Sequence, residues 1–410
     1  MTSLDWATEI VRRLQKAGFR AYFAGGCVRD MVMKKEPADY DIATNASCAI
    51  IQELFPHTVG VGVSFGVVLV IYKEYKCQVS TFRTDCADPR EDALKRDFTI
   101  NALFYDPFTR KIEDWCDGVG DIHRKLVKAV GIPQDRFNDD PLRLLRAVRM
   151  ASTLDFSIEE NTYQAIKRMA YLITKPSPER IRDELIRILS DNNACRGLEL
   201  LDDTGLLREI FTRISPTENS AFSVRYDNLV SFAHNLLSYI REPDYILGIS
   251  ALLCGLETQS YPKQSDTLPT SIPSVSLFLR KYMFSNKDNL SIKNVLLHHL
   301  RFIYAQELSI GTKKKMMQSD TFIRELEFHR IHLCALGNKP DSYNHLKTLY
   351  DSLAPDEISP QPLISGTDLI ELGINPSPEL GKILADVEMK QLEGELTTRE
   401  QALKLINKVL

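Results

Sequence analysis

The order of apolar and polar positions divides the chain into a mixed first third and a helical remainder. Residues 1–18 repeat apolar positions at helical spacing and end at Gly18, which predicts an amphipathic helix. "RAYFAGGCVRDMVM" reads as a strand, a Gly-Gly turn and a helix beginning near Val28. Residues 59–71 and 77–83 are rich in Val and Ile around a glycine break and predict β-strands. "TINALFYDP" fits a strand or a helix, and "KIEDW" and "KLVKAVG" predict short strand-like pieces. From Pro133 the strand signals fade. "PLRLLRAVRMASTL", "NTYQAIKRMAYLI", "ERIRDELIRILS" and "RGLELLDDTGLLREIF" place apolar residues at helical spacing. The rest reads helical to Leu410, apart from a polar stretch at 257–276, expected as a surface loop, and a break at 354–366. The pattern predicts an α+β first third up to about Pro133 and an all-α remainder.

Composition adds bounds. At 410 residues the chain is too long for one core, and 44% hydrophobic with 26% charged residues is an ordinary globular balance. The net charge of −4 gives no global signal for nucleic acid, although 51 lysines and arginines leave room for a local basic face. Eight cysteines are scattered with no C-x-x-C, so structural zinc is not expected and reduced thiols fit a cytoplasmic protein. The first residues carry Asp5 and Glu9 in an amphipathic pattern, unlike a signal peptide. The most apolar helix-length run, "YILGISALLCGL", is too short to span a bilayer, so no membrane partner is expected.

The chemistry concentrates in "EPADYDIATNA", where Asp39 and Asp41 sit two positions apart in what reads as a buried strand. Residues i and i+2 of a strand share a face, and neighbouring carboxylates raise each other's pKa, so a cation is expected between them. Upstream, "AGGCVRD" joins strand to helix through Gly25 and Gly26, with Arg29 just beyond. Glycine lets backbone N–H groups approach a phosphate, and two same-face carboxylates nearby suit Mg²⁺. Taken singly, a D-x-D pair is also compatible with a solvated turn, and a Gly-Gly pair with a turn and nothing more.

The whole stretch "GGCVRDMVMKKEPADYDIAT" resembles the signature of the class II tRNA nucleotidyltransferases and bacterial poly(A) polymerases, within the polymerase-β-like nucleotidyltransferases. Further segments match in order. "KRDFTINALFYDP" resembles the ribose-sensing motif and places Arg96, Asp97 and Asn101; "IEDWCDGVGDI" resembles the link between head and neck. "NDDPLRLLRAVR" resembles the amino-acid template, and "SPERIRDEL" the motif that braces the neck helices through Glu179 and Arg180. The resemblance implies a catalytic head at 1–132, a nucleotide-selecting, RNA-binding neck at 133–215, a body at 216–353 like a degenerate HD domain, and a tail at 354–410. It implies Asp39 and Asp41 as catalytic, Mg²⁺-holding residues. Gly25, Gly26, Arg29, Arg96, Asp97, Asn101, Asp140, Arg143 and Arg146 are implied to bind nucleotide. The partners implied are tRNA, CTP and ATP.

Within the template motif, Asp140 and Arg143 are expected to share one helix face. The aspartate would accept from an exocyclic amine and the arginine would donate to a ring nitrogen or carbonyl. Cytosine and adenine offer that amine; uracil and guanine place a carbonyl there. Arg149 reads as a neck salt bridge as readily as a ligand. Lys382, Lys390 and Arg399 of the tail are expected either to meet tRNA phosphates or to form a solvated face.

Three departures from the family pattern stand out. Gln78 occupies the usual third acidic position, and an amide supplies an oxygen but no charge. The segment between Arg83 and Arg96 is short, as in CC-adding relatives, which would imply dependence on a second, A-adding enzyme. "ALLCGLET" replaces the His-Asp dipeptide of longer relatives with Cys254 and Gly255, so the body is expected to be a scaffold, with His298, His299, His329 and His332 as surface or packing residues. The alternatives are a poly(A) polymerase, disfavoured by the absence of a basic extension after "EQALKLINKVL", and a non-catalytic RNA-binding protein with a decayed site, for which Gln78 is the hint.

Overall fold

The structure is a computed structural model that describes residues 2–62, 66–83, 88–212, 220–256, 272–371 and 378–409. These fall into two compact units, Met1–Thr217 and Glu218–Leu410.

The first unit is built on a seven-stranded mixed sheet. In chain order it runs α1 (Ser3–Lys16), β1 (Ala21–Ala24), α2 (Gly26–Val32), β2 (Ile42–Thr44), α3 (Cys48–Leu54), β3 (Thr58–Gly62), β4 (Val67–Tyr72), β5 (Tyr75–Thr81), α4 (Pro89–Lys95), β6 (Leu103–Asp106) and β7 (Lys111–Asp114). The strand order is β3-β4-β5-β2-β1-β6-β7, and only β2 and β5 run parallel. Helix α1 starts on a capping box between Thr2 and Asp5 and buries Trp6, Ala7, Ile10, Val11 and Leu14, the i, i+3, i+4 stripe read from the sequence. That stripe packs on β1 and β5. Ala24, Ala43, Phe82 and Phe104 form part of a core cluster of the sheet, against which Trp115 packs.

The strand-or-helix ambiguity of "TINALFYDP" resolves as both: a 3₁₀ turn over Thr99–Asn101, then β6. The turn is fixed because the Thr99 hydroxyl donates to buried Asp121 at 2.7 Å. Asp121 lies on α5 (Gly118–His123), which approaches so closely that a Cβ at Gly118 would stand 2.2 Å from the Thr99 carbonyl oxygen.

After the sheet come α6 (Pro133–Asp139), α7 (Arg143–Leu154), α8 (Glu160–Met169), α9 (Pro178–Leu189), α10 (Ala194–Asp203) and α11 (Leu206–Thr212). Helix α7 buries Leu144, Leu145, Ala147, Val148, Met150, Ala151 and Ser152, and packs on α9 and α10. The short pair β8 (Leu126–Val127) and β9 (Ser157–Ile158) joins the segment before α6 to the one after α7.

The described part of the second unit is helical. Residues 257–271 of the expected surface loop lie outside the described residues, and 273–276 open the helix Pro273–Lys281 rather than continuing a loop. Pro273 stands at its first turn, where its missing N–H removes no helix hydrogen bond. The tail is helical over Gly366–Glu371, Pro378–Leu392 and Arg399–Val409. Residues 372–377 lie outside the described residues. No helix among the described residues is long and apolar enough to cross a membrane.

The contact at Gly118 is testable. Its nearest atoms are backbone and cannot rotate away, so Gly118→Ala should destabilise the protein by about 2 kcal/mol through overpacking. Urea unfolding followed by circular dichroism reads this directly, with Gly381→Ala, a helical position that meets no atom within 4 Å, as the control.

Candidate active site

Asp39 and Asp41 do not lie within a strand. Strand β2 begins at Ile42, and both aspartates are exposed on its approach. The backbone is nevertheless held as if the strand started one residue earlier. The Ala24 N–H donates to the Asp41 carbonyl at 2.9 Å. Two buried thiols add to this: Cys77 donates to the Tyr40 carbonyl at 3.0 Å, and Cys27 lies 3.8 Å from the Asp41 carbonyl. Burial pushes Cys27 up to about 11 and also raises Cys77, so both stay neutral donors.

The Asp41 carboxyl reaches solvent, but enough protein surrounds it that desolvation raises its pKa; the charge of Asp39 adds to this, and Arg96 partly opposes it. The register Ile42↔Val79 of the parallel β2–β5 pair sets Gln78 alongside Asp41, and Gln78 is exposed. A two-carboxylate edge with Gln78 next in register is therefore present. Its donors are all oxygen, the set that hard divalent cations take.

The Gly25–Gly26 turn does something more specific than the sequence suggested. Gly25 sits at φ +80°, and a Cβ there would lie 3.1 Å from the Arg96 Nη1, so glycine is required both for the bend and for the arginine's approach. Its N–H is already used by the Leu103 carbonyl at 3.0 Å.

Arg29, Arg96, Asp97 and Asn101 are brought together. Arg29 Nη1 donates to Asn101 Oδ1 at 2.8 Å, and its other nitrogens to Asp30. Asn101 Nδ2 donates to Asp97 Oδ1 at 3.4 Å. Arg96 donates to Asp92 Oδ2 from Nε and Nη2 at 3.0 and 2.8 Å, lies over the Phe104 ring, and donates to the Asn101 carbonyl. Asp92 also accepts from the Arg83 N–H at 3.0 Å. Sequence reading missed Asp92, whose signal was its position four residues before Arg96 in the opening of "EDALKR".

Asp97 takes Arg146 Nε and Nη2 on Oδ2 at 2.9 and 2.5 Å, and the Phe98 N–H on Oδ1 at 2.8 Å. Burial alone would raise its pKa. The charge and hydrogen bonds of Arg146, with the Phe98 N–H, outweigh that and hold the carboxyl well below the usual range.

The template pair departs from expectation. Asp140 and Arg143 do not share a helix: Asp140 caps the end of α6 in an extended conformation, and Arg143 opens α7. Pro141 is the reason, because the residue before a proline is driven out of the helical region. Asp140 instead accepts from Arg180 Nη2 at 2.8 Å, and Arg143 donates to the carbonyls of Arg136 and Lys95 at 3.2 and 3.1 Å. Arg149 pairs with Glu184 at 2.6 Å, joining α7 to α9. In the tail, Arg399 is paired with Asp368 and Lys390 with Glu395, while Lys382 is exposed.

Comparison with known proteins fixes the lineage. A family model described as "Poly A polymerase head domain" matches residues 21–128, a second for a "Probable RNA and SrmB- binding site of polymerase A" matches 155–216, and one for tRNA nucleotidyltransferase domain 2 matches 267–406. The CCA-adding enzyme of Lactobacillus delbrueckii subsp. bulgaricus is 32% identical over 402 residues, spanning 95% of this chain and 92% of that protein. The chain belongs to the CCA-adding enzyme family of nucleotidyltransferases. The enzyme of Lactococcus lactis subsp. cremoris is 31% identical over 97% of this chain and 94% of its own. The crystal structure of the Bacillus stearothermophilus CCA-adding enzyme in complex with CTP superposes with a TM-score of 0.75 at 26% identity, covering 100% of this chain and 98% of that one. The Thermotoga maritima enzyme complexed with tRNA shares the fold, with a TM-score of 0.61 at 19% identity over 99% and 95% of the two chains. The α+β head and helical remainder thus match the family's architecture, and the chain is a nucleotidyltransferase.

The electrostatics yield two predictions. A raised folded-state pKa means that folding favours the protonated Asp41. That contribution is full below the unfolded-state pKa and is lost as pH rises through the folded value, so ionised Asp41 weakens the fold at neutral pH. Asp41→Asn should therefore raise the thermal midpoint at pH 7, with the difference shrinking as pH falls below about 4; calorimetry at two pH values decides. Arg146→Ala leaves Asp97 buried without its partner and should cost roughly 3 kcal/mol in denaturant unfolding.

Proposed function

We propose that this enzyme adds CMP, and in the fuller reading AMP, from CTP and ATP to the 3′ end of tRNA. Family membership and the geometry around Asp39 and Asp41 support the reading, together with the relatives solved with CTP or with tRNA. Asp39 and Asp41 are the residues to hold Mg²⁺, with Gln78 supplying a neutral oxygen beside them. The ion, when bound, would neutralise charge on the triphosphate and at the attacking 3′-hydroxyl. The turn at Gly25 and Gly26 and the Arg29 guanidinium border the phosphates, while Arg96, Asp97 and Asn101 sense the ribose hydroxyl. Asp140 and Arg143 select cytosine and adenine by amine acceptance and ring-nitrogen donation. The head, neck, body and tail division at 1–132, 133–215, 216–353 and 354–410 remains part of this reading.

In this reading nucleotide binding is an exchange of partners. Asp97 already accepts four hydrogen bonds, Asp140 is held by Arg180, and Arg143 by two carbonyls. A triphosphate that draws Arg146 towards it frees an Asp97 oxygen for the ribose, and a base that competes with Arg180 frees Asp140.

We further infer that addition stops after two cytidines. The observation that carries this is how the segment between Arg83 and Arg96 is used. Helix α4, capped by Asp88, takes Pro89–Lys95, and its Asp92 is buried against Arg83 and Arg96. Most of the segment is therefore committed to a fixed helix. A loop that helps the template switch from cytosine to adenine needs length that can move. The completing A would then come from a second, A-adding enzyme.

The test is an end-product assay on tRNA transcripts ending at the discriminator base, at C and at CC, with CTP and ATP supplied together. Arrest after two cytidines is expected. Efficient terminal A addition would make it a full CCA-adding enzyme, and ATP-only tailing of unstructured RNA a poly(A) polymerase. Asp41→Ala should lower incorporation at least a thousandfold while tRNA retention on a filter persists; unchanged incorporation would remove the metal assignment.

A further inference from the structure

Outside the head, the least explained cluster lies in the second unit. Cys254 ends the helix Tyr245–Cys254, His299 opens the 3₁₀ turn His299–Phe302, and His332 lies on the helix Phe322–Ala335. One ligand atom from each lies within 4.8 Å of the others, and all three residues are buried. The histidines were expected to be packing or surface residues, and His298 is the more exposed neighbour. Buried imidazoles that face one another beside a thiol need a further explanation.

The proton positions follow from the hydrogen bonds. His299 Nδ1 lies 3.0 Å from the carbonyls of both Val295 and Leu296, which only accept, so it carries the proton. His299 Nε2 therefore presents a lone pair, and it lies 2.6 Å from His332 Nδ1. Two lone pairs cannot sit that close; either a proton or a cation stands between them. A histidine ligand whose other nitrogen donates to a backbone carbonyl is the usual outer-shell arrangement of metal-bound imidazole.

A second observation points the same way. Ser250 is fully buried, and its hydroxyl has no hydrogen-bond partner among the described residues. It lies four residues before Cys254 on the same helix, hence on the same face one turn earlier. A buried unpaired hydroxyl is costly unless something uses it.

We propose that Cys254, His299 and His332 form a buried site for a thiophilic divalent ion of the Zn²⁺ class, with the Ser250 hydroxyl or a water it holds as the fourth donor. The donor set is one thiolate and two imidazoles, the chemistry zinc takes in closed structural sites. Tetrahedral geometry with Zn–N near 2.0–2.1 Å separates two ligand nitrogens by about 3.3 Å, so the imidazoles need to part by about 0.7 Å. On binding, the thiol proton is released to solvent, and the His332 proton moves from Nδ1 to Nε2. Burial holds both imidazoles unprotonated at neutral pH, His332 at about 4 and His299 well below its ordinary value, so protons do not compete there. Competition falls on the thiol, which burial pushes up to about 12. The ion would tie together three segments of one helical unit. No C-x-x-C marks it, because each ligand comes from a different element.

The test is titration of the chelator-stripped full chain with Co²⁺, without nucleotide or Mg²⁺. One equivalent should bring up a sulfur-to-cobalt charge-transfer band and visible absorption of tetrahedral strength. Co²⁺ at the Asp39/Asp41 edge would give neither, since its ligands there are oxygens. Zn²⁺ should displace the cobalt and raise the thermal midpoint by about 5 °C. Cys254→Ala should abolish the band while keeping the helical circular dichroism. If that variant fails to fold, His332→Gln removes a ligand from another helix and must show the same loss. Absence of the band at one equivalent in the unaltered chain, or a band that persists in a folded Cys254→Ala or His332→Gln variant, overturns the proposal.

Discussion

The charge pair between Asp97 and Arg146 carries the architecture of the first unit. Asp97 belongs to the turn that leads into β6, and Arg146 to α7, so their two hydrogen bonds tie the sheet to that helix. Asp97 is nearly buried, and a lone carboxylate there would be held against a large desolvation cost. Arg146 repays it, the Phe98 N–H and Asn101 take the other oxygen, and Asn101 passes the constraint to Arg29 on α2. A single aspartate thus sets the spacing between the Gly-Gly turn, the 3₁₀ turn and α7.

The same unit contains the opposite arrangement at Asp39 and Asp41. There two carboxylates lie near enough for the charge of Asp39 to raise the pKa of Asp41, and neither takes part in an ion pair among the described residues. Their backbone is secured from behind by Ala24 and by two thiols that burial keeps neutral. The rigidity comes from neutral donors, and the charge is left for something that is not protein. A site whose fold satisfied those charges with lysine would be more stable and useless to a cation.

Much of this was legible in the chain, and the failures have specific causes. The stripe of α1, the strand–turn–helix around Gly25 and the spacing of Arg143, Arg146 and Arg149 on α7 follow from periodicity, which reports burial directly. Asp140 was misplaced onto that helix because helical spacing was extended back across Pro141, although proline's constraint on its predecessor was written in the sequence. Asp39 and Asp41 were placed inside the strand because alternation cannot mark where pairing begins. The Asp92 contacts with Arg83 and Arg96 were only half visible: the i, i+4 relation to Arg96 is local, but the Arg83 contact depends on how β5 hands the chain to α4.

The buried histidines of the second unit were illegible for a deeper reason. His299 and His332 lie on different elements, and neither periodicity nor spacing brings them together; tertiary packing alone does. Polar groups buried by packing usually reveal themselves through partners, as Glu325 does with Arg301 and Thr321. A cluster of two imidazoles, a thiol and an unpaired hydroxyl is different, because every member is neutral and one bridging proton is all that links the rings. In that cluster the Ser250 hydroxyl is left without a partner, and a buried polar group left so is costly in a dry interior. A cation held between the imidazoles and the thiol would give that hydroxyl a use.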